Sequence, residues 1–183
     1  MSSIFNDIII TAPGQHQLPI YSALCHVIKK RLSLFNNTNF HVCCDPKGLR
    51  VGSGGGTINA INYLINNTDN QIADMESVAL LNRRVLIVHS GGDSRRSPMH
   101  SVCGKAWATI NSPLIGDIMM NPLVLILLEF NTFFTSLPLG SIVVASGDVL
   151  LDITKVRPPT YISHIINSTL LTHSIYAIFI RVK

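Results

Sequence analysis

RRVLIVHSGG, residues 83–92, is the stretch that decides how this chain folds. Its centre, Val85 to Val88, is an unbroken apolar run without polar alternation, which fits a strand sheltered on both faces of a sheet. Gly91 and Gly92 end it with a backbone that can turn sharply and approach a ligand closely. Working outward, NDIIITAP (6–13) reads as a strand of the same kind, NFHVCCDP (39–46) as a second short strand, and GSIVVASGDVLL (140–151) as a fourth strand with a Gly-Asp break inside it. Between them, LPIYSALCHVIKKRLSLF (18–35) has helical spacing and a cationic last turn. GLRVGSGGGTINAINYLINN (48–67) passes from a glycine-rich turn into a helix with Ile58, Ile61, Leu64 and Ile65 on one face, and NPLVLILLEFNTFF (121–134) reads as a buried helix. Strands alternating with helices predict an α/β domain built on a mainly parallel sheet, with ligands held where strands end and helices begin.

Composition narrows the function. The 183 residues are 47% hydrophobic and only 13% charged, which excludes a disordered chain and allows one domain with a real core. A net charge of +4 with no dense Lys/Arg stripe and no interleaved aromatics argues against nucleic acid and suits a small polyphosphate ligand. MSSIFNDIII lacks the pattern of a signal peptide, so a cytoplasmic location is expected. PLVLILLEF falls well short of the ~20 residues that cross a bilayer, and YISHIINSTLLTHSIYAIFI carries too many polar groups, so no membrane span is expected. Cys25, Cys43, Cys44 and Cys103 show neither zinc nor disulfide spacing and read as packed free thiols.

Two glycine-rich segments carry the candidate chemistry. GSGGGT, Gly52 to Thr57, opens a helix, so its N–H groups can converge on an anion with the helix dipole behind them; the alternative is a flexible turn, since neither the Walker spacing nor GxGxxG is present. In the second, Gly91 and Gly92 bend the chain, Arg95 and Arg96 offer forked donors to phosphate oxygens, and Lys105 adds a point charge; together they describe a triphosphate cradle. His89 reads as a structural histidine, Asp93 as a turn former or a metal helper, and Cys103 as a packed thiol with no orienting Asn or Asp.

GGDSRRSPMHSVCGK resembles a divergent form of the sugar-nucleotide pyrophosphorylase signature, with Arg95, Pro98 and Lys105 in its arginine, proline and lysine places. Four blocks in order, NDIIITAPGQHQ, DPKGLRVGSGGGTINAI, VLIVHSGGDSRRSPMHSVCGKAW and PLGSIVVASGDVLL, are similar to the GDP-fucose pyrophosphorylase family, found in fucose-1-phosphate guanylyltransferases and in bifunctional fucokinase/GDP-fucose pyrophosphorylases. The resemblance implies a Rossmann-like nucleotide-diphospho-sugar transferase fold and a Mg²⁺-dependent reaction of GTP with L-fucose 1-phosphate, giving GDP-L-fucose and pyrophosphate. It implies Arg95 and Lys105 as the catalytic cations. Gly52, Ser53, Gly54, Gly55, Gly56, Thr57, Gly91, Gly92, Asp93, Ser94 and Arg96 would bind the nucleotide, and Asp148 the metal.

This chain departs from the pattern where Asp93-Ser94 stands in place of Gly-Thr. The family continues past the metal aspartate into strands that bind the sugar phosphate, and the residues after Asp152 do not resemble that portion. Residues 1–152 are therefore expected to form the nucleotide-binding part, 153–183 a divergent tail, and the sheet to be incomplete at its sugar-binding end. The alternative function is a non-catalytic nucleotide-binding or interaction module.

Overall fold

In the computed structural model, residues 2–67, 78–90, 104–147 other than 112, 116 and 135, and 178–181 are described. Four parallel strands form the sheet: β1 (Asp7–Ala12), β2 (Asn39–Cys44), β3 (Arg84–His89) and β4 (Ser141–Ser146). A fifth, β5 (Ile178–Arg181), lies antiparallel to β4, with Ile180 opposite Ile142, and the order is β2-β1-β3-β4-β5. The α-helices among the described residues are α1 (Leu18–Arg31), α2 (Gly52–Asn67), α3 (Val78–Leu81) and α4 (Pro122–Phe133). This is the α/β architecture expected of a nucleotidyltransferase-like domain.

The apolar runs read as sheltered strands are sheltered. Every residue of β1 is buried, as are Val85 to Val88 of β3 and Ser141 to Ala145 of β4. Alternate strand residues serve opposite cores, as the two-residue period of a strand dictates. Ile8, Ile10, Leu86, Val88, Val143 and Ala145 pack with α1 and α4; Ile9, Val85, Ile87, Ile142 and Val144 pack with Ala60 and Leu64 of α2. In α1 the buried residues Tyr21, Cys25 and Ile28 recur at helical spacing, and Asn121 caps α4 by accepting from the Val124 N–H at 2.9 Å, ahead of Pro122.

Two sequence readings need correction. GSGGGT is not a turn before α2 but its first turn and a half: α2 begins at Gly52, whose φ of 70° is the left-handed conformation glycine tolerates. The inward face of α2 is Gly56, Ala60 and Leu64, while Ile58 is 62% exposed, because the small residues let the helix lie close to the strand ends. The C-terminal stretch supplies a strand, which its short run of four paired residues did not reveal from sequence. Among the described residues, no helix is long and apolar enough to cross a membrane.

At the amino ends of the strands, the fully buried Asp7 carboxylate receives two bonds from Arg83 Nη1 (2.8 and 3.1 Å), His41 Nε2 at 3.0 Å and Asn39 Nδ2 at 3.3 Å. Burial alone would raise its pKa, but the bonds from His41, Arg83 and Asn39 and the Arg83 charge together hold it below the ordinary carboxylate value. Cys25 and Cys43 are buried free thiols, each pushed up to about 12 by desolvation, so they are inert packing groups.

Candidate functional site

Because β1 to β4 run parallel, their carboxyl ends form one edge, with Thr11, His89 and Ser146 in register across it. Ligands of open α/β sheets bind outside this edge. The start of α2 is brought there by His89, whose Nε2 lies 2.8 Å from Thr57 Oγ1. The Thr57 hydroxyl donates to the Ser53 carbonyl at 3.0 Å; having a single proton, it then accepts from His89 Nε2–H. That assigns the Nε2–H tautomer and leaves His89 Nδ1 as an acceptor, 3.5 Å from Thr11 Oγ1. Thr11 Oγ1 in turn accepts the Ser90 N–H at 3.2 Å. Burial pushes the His89 pKa down, with the Asp45 carboxylate opposing, so the ring is neutral near pH 7.

Glycines mark where backbones meet at this edge. A Cβ on Gly56 would lie 3.3 Å from His89 Cε1, and one on Gly147 would lie 2.9 Å from the His89 carbonyl oxygen, which already accepts the Gly147 N–H at 2.7 Å. Gly104 has φ 78°, and a Cβ there would collide with the Tyr21 hydroxyl. Gly54 differs: a Cβ on it would meet nothing within 4 Å. No packing demand explains a glycine at that point of a helix, where it weakens the helix relative to alanine.

Polar groups left over inside the fold gather at the same edge. Among the described residues, the buried side-chain atoms without a hydrogen-bond partner are Gln17 Oε1, Ser90 Oγ and Trp107 Nε1. Gln17 immediately precedes α1, which follows β1; Ser90 follows β3; the Trp107 ring lies tilted against Tyr21 at 5.1 Å, next to Ala106, which abuts Gly147. Buried polar groups are normally paired, so each of these atoms calls for a partner such as water, an ion or a ligand.

Of the sequence-predicted residues, the structure places Gly56 and Thr57 against His89, with Gly52, Ser53, Gly54 and Gly55 ahead of them in the same helix; Lys105 lies between Gly104, which is near Ser90, and Ala106, which is near Gly147. Gly91, Gly92, Asp93, Ser94, Arg95, Arg96, Pro98 and Asp148 lie outside the described residues; the chain reaches them directly from Ser90 and Gly147. His89, Thr11, Asp45, Ser90 and Gly104 were not picked out from sequence as parts of a site. The one signal available was the adjacency of His89 to the paired glycines. Among the described residues there is no group of three or more His, Cys, Asp or Glu side chains placed to hold a metal ion.

The model of the fucose pyrophosphorylase domain matches residues 77–175. The chain belongs to the fucose pyrophosphorylase domain family. The match runs past residue 152, to residue 175. The chain is 30% identical over 148 residues to human fucose-1-phosphate guanylyltransferase, and 30% identical over 149 residues to the mouse protein of that name; each alignment covers 80% of this chain and 23% of the relative. It is 29% identical over 115 residues to the Arabidopsis thaliana bifunctional fucokinase/GDP-fucose pyrophosphorylase, covering 56% of this chain and 11% of that protein. The chain thus spans about a quarter of the length of the mammalian relatives. No solved structure matches it.

Proposed function

We propose that this chain is the nucleotide-binding part of a guanylyltransferase that joins GTP to L-fucose 1-phosphate, forming GDP-L-fucose and releasing pyrophosphate. What supports the reading is the family match over residues 77–175 together with the sheet edge at which Thr57 of α2 meets His89 and the ends of β3 and β4 lie side by side. A phosphate oxygen of the sugar attacks the α-phosphorus, and the bond to the pyrophosphate oxygen breaks. The demands are therefore positioning and neutralisation of charge, with no covalent protein nucleophile.

In this reading the amides at the start of α2 face the nucleotide, favoured by a first turn that holds no acidic residue. Arg95, Arg96 and Lys105 balance the phosphates, and Gly91, Gly92, Asp93 and Ser94 carry the backbone around them. Asp148 is the carboxylate for Mg²⁺, a hard cation suited to oxygen donors, which when bound would neutralise phosphate charge.

The test is thermal unfolding of the purified chain with Mg²⁺ and rising GTP. Binding to the native state alone should raise stability by about 2.7 kcal/mol at a hundredfold excess over Kd, and Arg95→Ala and Asp148→Ala should each reduce that rise. Pyrophosphate release with fucose 1-phosphate would follow. A folded protein whose midpoint ignores GTP overturns the proposal.

A further inference from the structure

We infer that His89 is a positioning residue for the nucleotide, acting through Thr57 to hold the first turn of α2 in its binding conformation. The inference rests on the nucleotide-binding reading of that turn. Its basis is geometric. Gly52, Gly54, Gly55 and Gly56 fall within five consecutive residues, so the start of α2 has little helical propensity of its own. Something outside the helix must define it. Two side-chain bonds tie this end to the sheet: Thr57 Oγ1 with His89 Nε2 at 2.8 Å, and Asn59 Nδ2 to the Cys44 carbonyl at 2.9 Å.

His89 is the shared member of the contacts made at this edge. Its ring meets Thr57 of α2 and Thr11 of β1, its carbonyl accepts the amide of Gly147 after β4, and Ser90 and Gly91 follow it in the chain. The His89 ring thus fixes α2 against the end of β3, while its backbone carbonyl holds the chain leaving β4. Gly56 allows the helix to pass close to the ring, since a Cβ there would stand 3.3 Å from Cε1. Holding donors in place before the ligand arrives lowers the ordering cost of binding, so loss of the tether should appear as weaker affinity.

The experiment is a titration of GTP, with Mg²⁺, into the full chain by calorimetry, for the unsubstituted protein, Thr57→Val, His89→Phe, His89→Gln and the Thr57→Val/His89→Phe pair, with unfolding midpoints measured alongside. Thr57→Val and His89→Phe should each weaken binding roughly five- to twentyfold, the scale of one lost hydrogen bond with a buried partner left unpaired. The double variant should be no weaker than the worse single one, because both remove the same bond. His89→Gln, whose amide N–H reaches about as far as Nε2–H, should restore most of the affinity. If His89→Phe does not fold, Thr57→Val and His89→Gln carry the test by the same criteria. Binding that is equal in all variants, or additive losses in the pair, overturns the inference while leaving the nucleotide site standing. Absence of binding by the unsubstituted chain overturns both.

Discussion

Gly54 and Gly104 are both glycines at the ligand edge, and they should respond oppositely to alanine. Gly54 sits in a helix with open space where a Cβ would go, so Gly54→Ala should stabilise the fold by about 0.5–1 kcal/mol through helix propensity. The same methyl would stand between the helix backbone and a phosphate or base, so GTP should bind more weakly. A chemical denaturation curve and a GTP titration on this one variant separate the two effects. Gly104→Ala combines a positive φ with a collision against Tyr21 and should destabilise by about 2 kcal/mol or more in the same denaturation assay. The identity of His89 as a strand-end residue was readable from the sequence, but its role was not. Thr57 lies 32 positions away, and nothing in the local pattern of either residue announces a partner at that distance.

Among the elements, β1, β3, β4, α1 and α4 were legible because their environment is uniform: strands covered on both faces become continuous apolar runs, and amphipathic or buried helices keep their spacing. The start of α2 was not, since glycine reads as punctuation unless tertiary contacts override it. Here the packing of Gly56 near His89 and of Ala60 and Leu64 in the core does so. β5 escaped for a related reason. A strand of four residues that pairs on one side with β4 leaves little pattern of its own. Its pairing closes one side of β4, and unpaired strand edges recruit other chains. Removing residues 178–183 should lower the unfolding midpoint and produce concentration-dependent association in sedimentation velocity, whereas the intact chain should show less.

For the molecule as a whole, the two ends of the sheet differ in their work. The Asp7, Arg83, His41 and Asn39 network holds the amino end with a buried, paired carboxylate. Because the native pKa of Asp7 is held below its unfolded value, this network contributes its full stability above the ordinary carboxylate range and loses it as pH falls through the native value. Denaturation midpoints followed from about pH 7 to pH 3 should fall more steeply for the unsubstituted chain than for Asp7→Asn. Arg83→Met leaves the buried charge without its strongest partner and should cost about 3 kcal/mol near neutrality, with GTP affinity little changed because the carboxyl edge lies at the other end of the strands.

The position of β1 has a consequence for how the protein is made. It is synthesised before β2 and β3, yet it lies between them, and Asp7 pairs with Val85. At roughly 5–20 residues per second, several seconds pass between synthesis of the two partners. Through that interval Ile8, Ile9 and Ile10, all fully buried in the finished fold, have one neighbouring strand at most. The nascent chain therefore carries unpaired apolar strand through that interval, and overproduction should send it into inclusion bodies, with slower translation at low temperature recovering soluble protein.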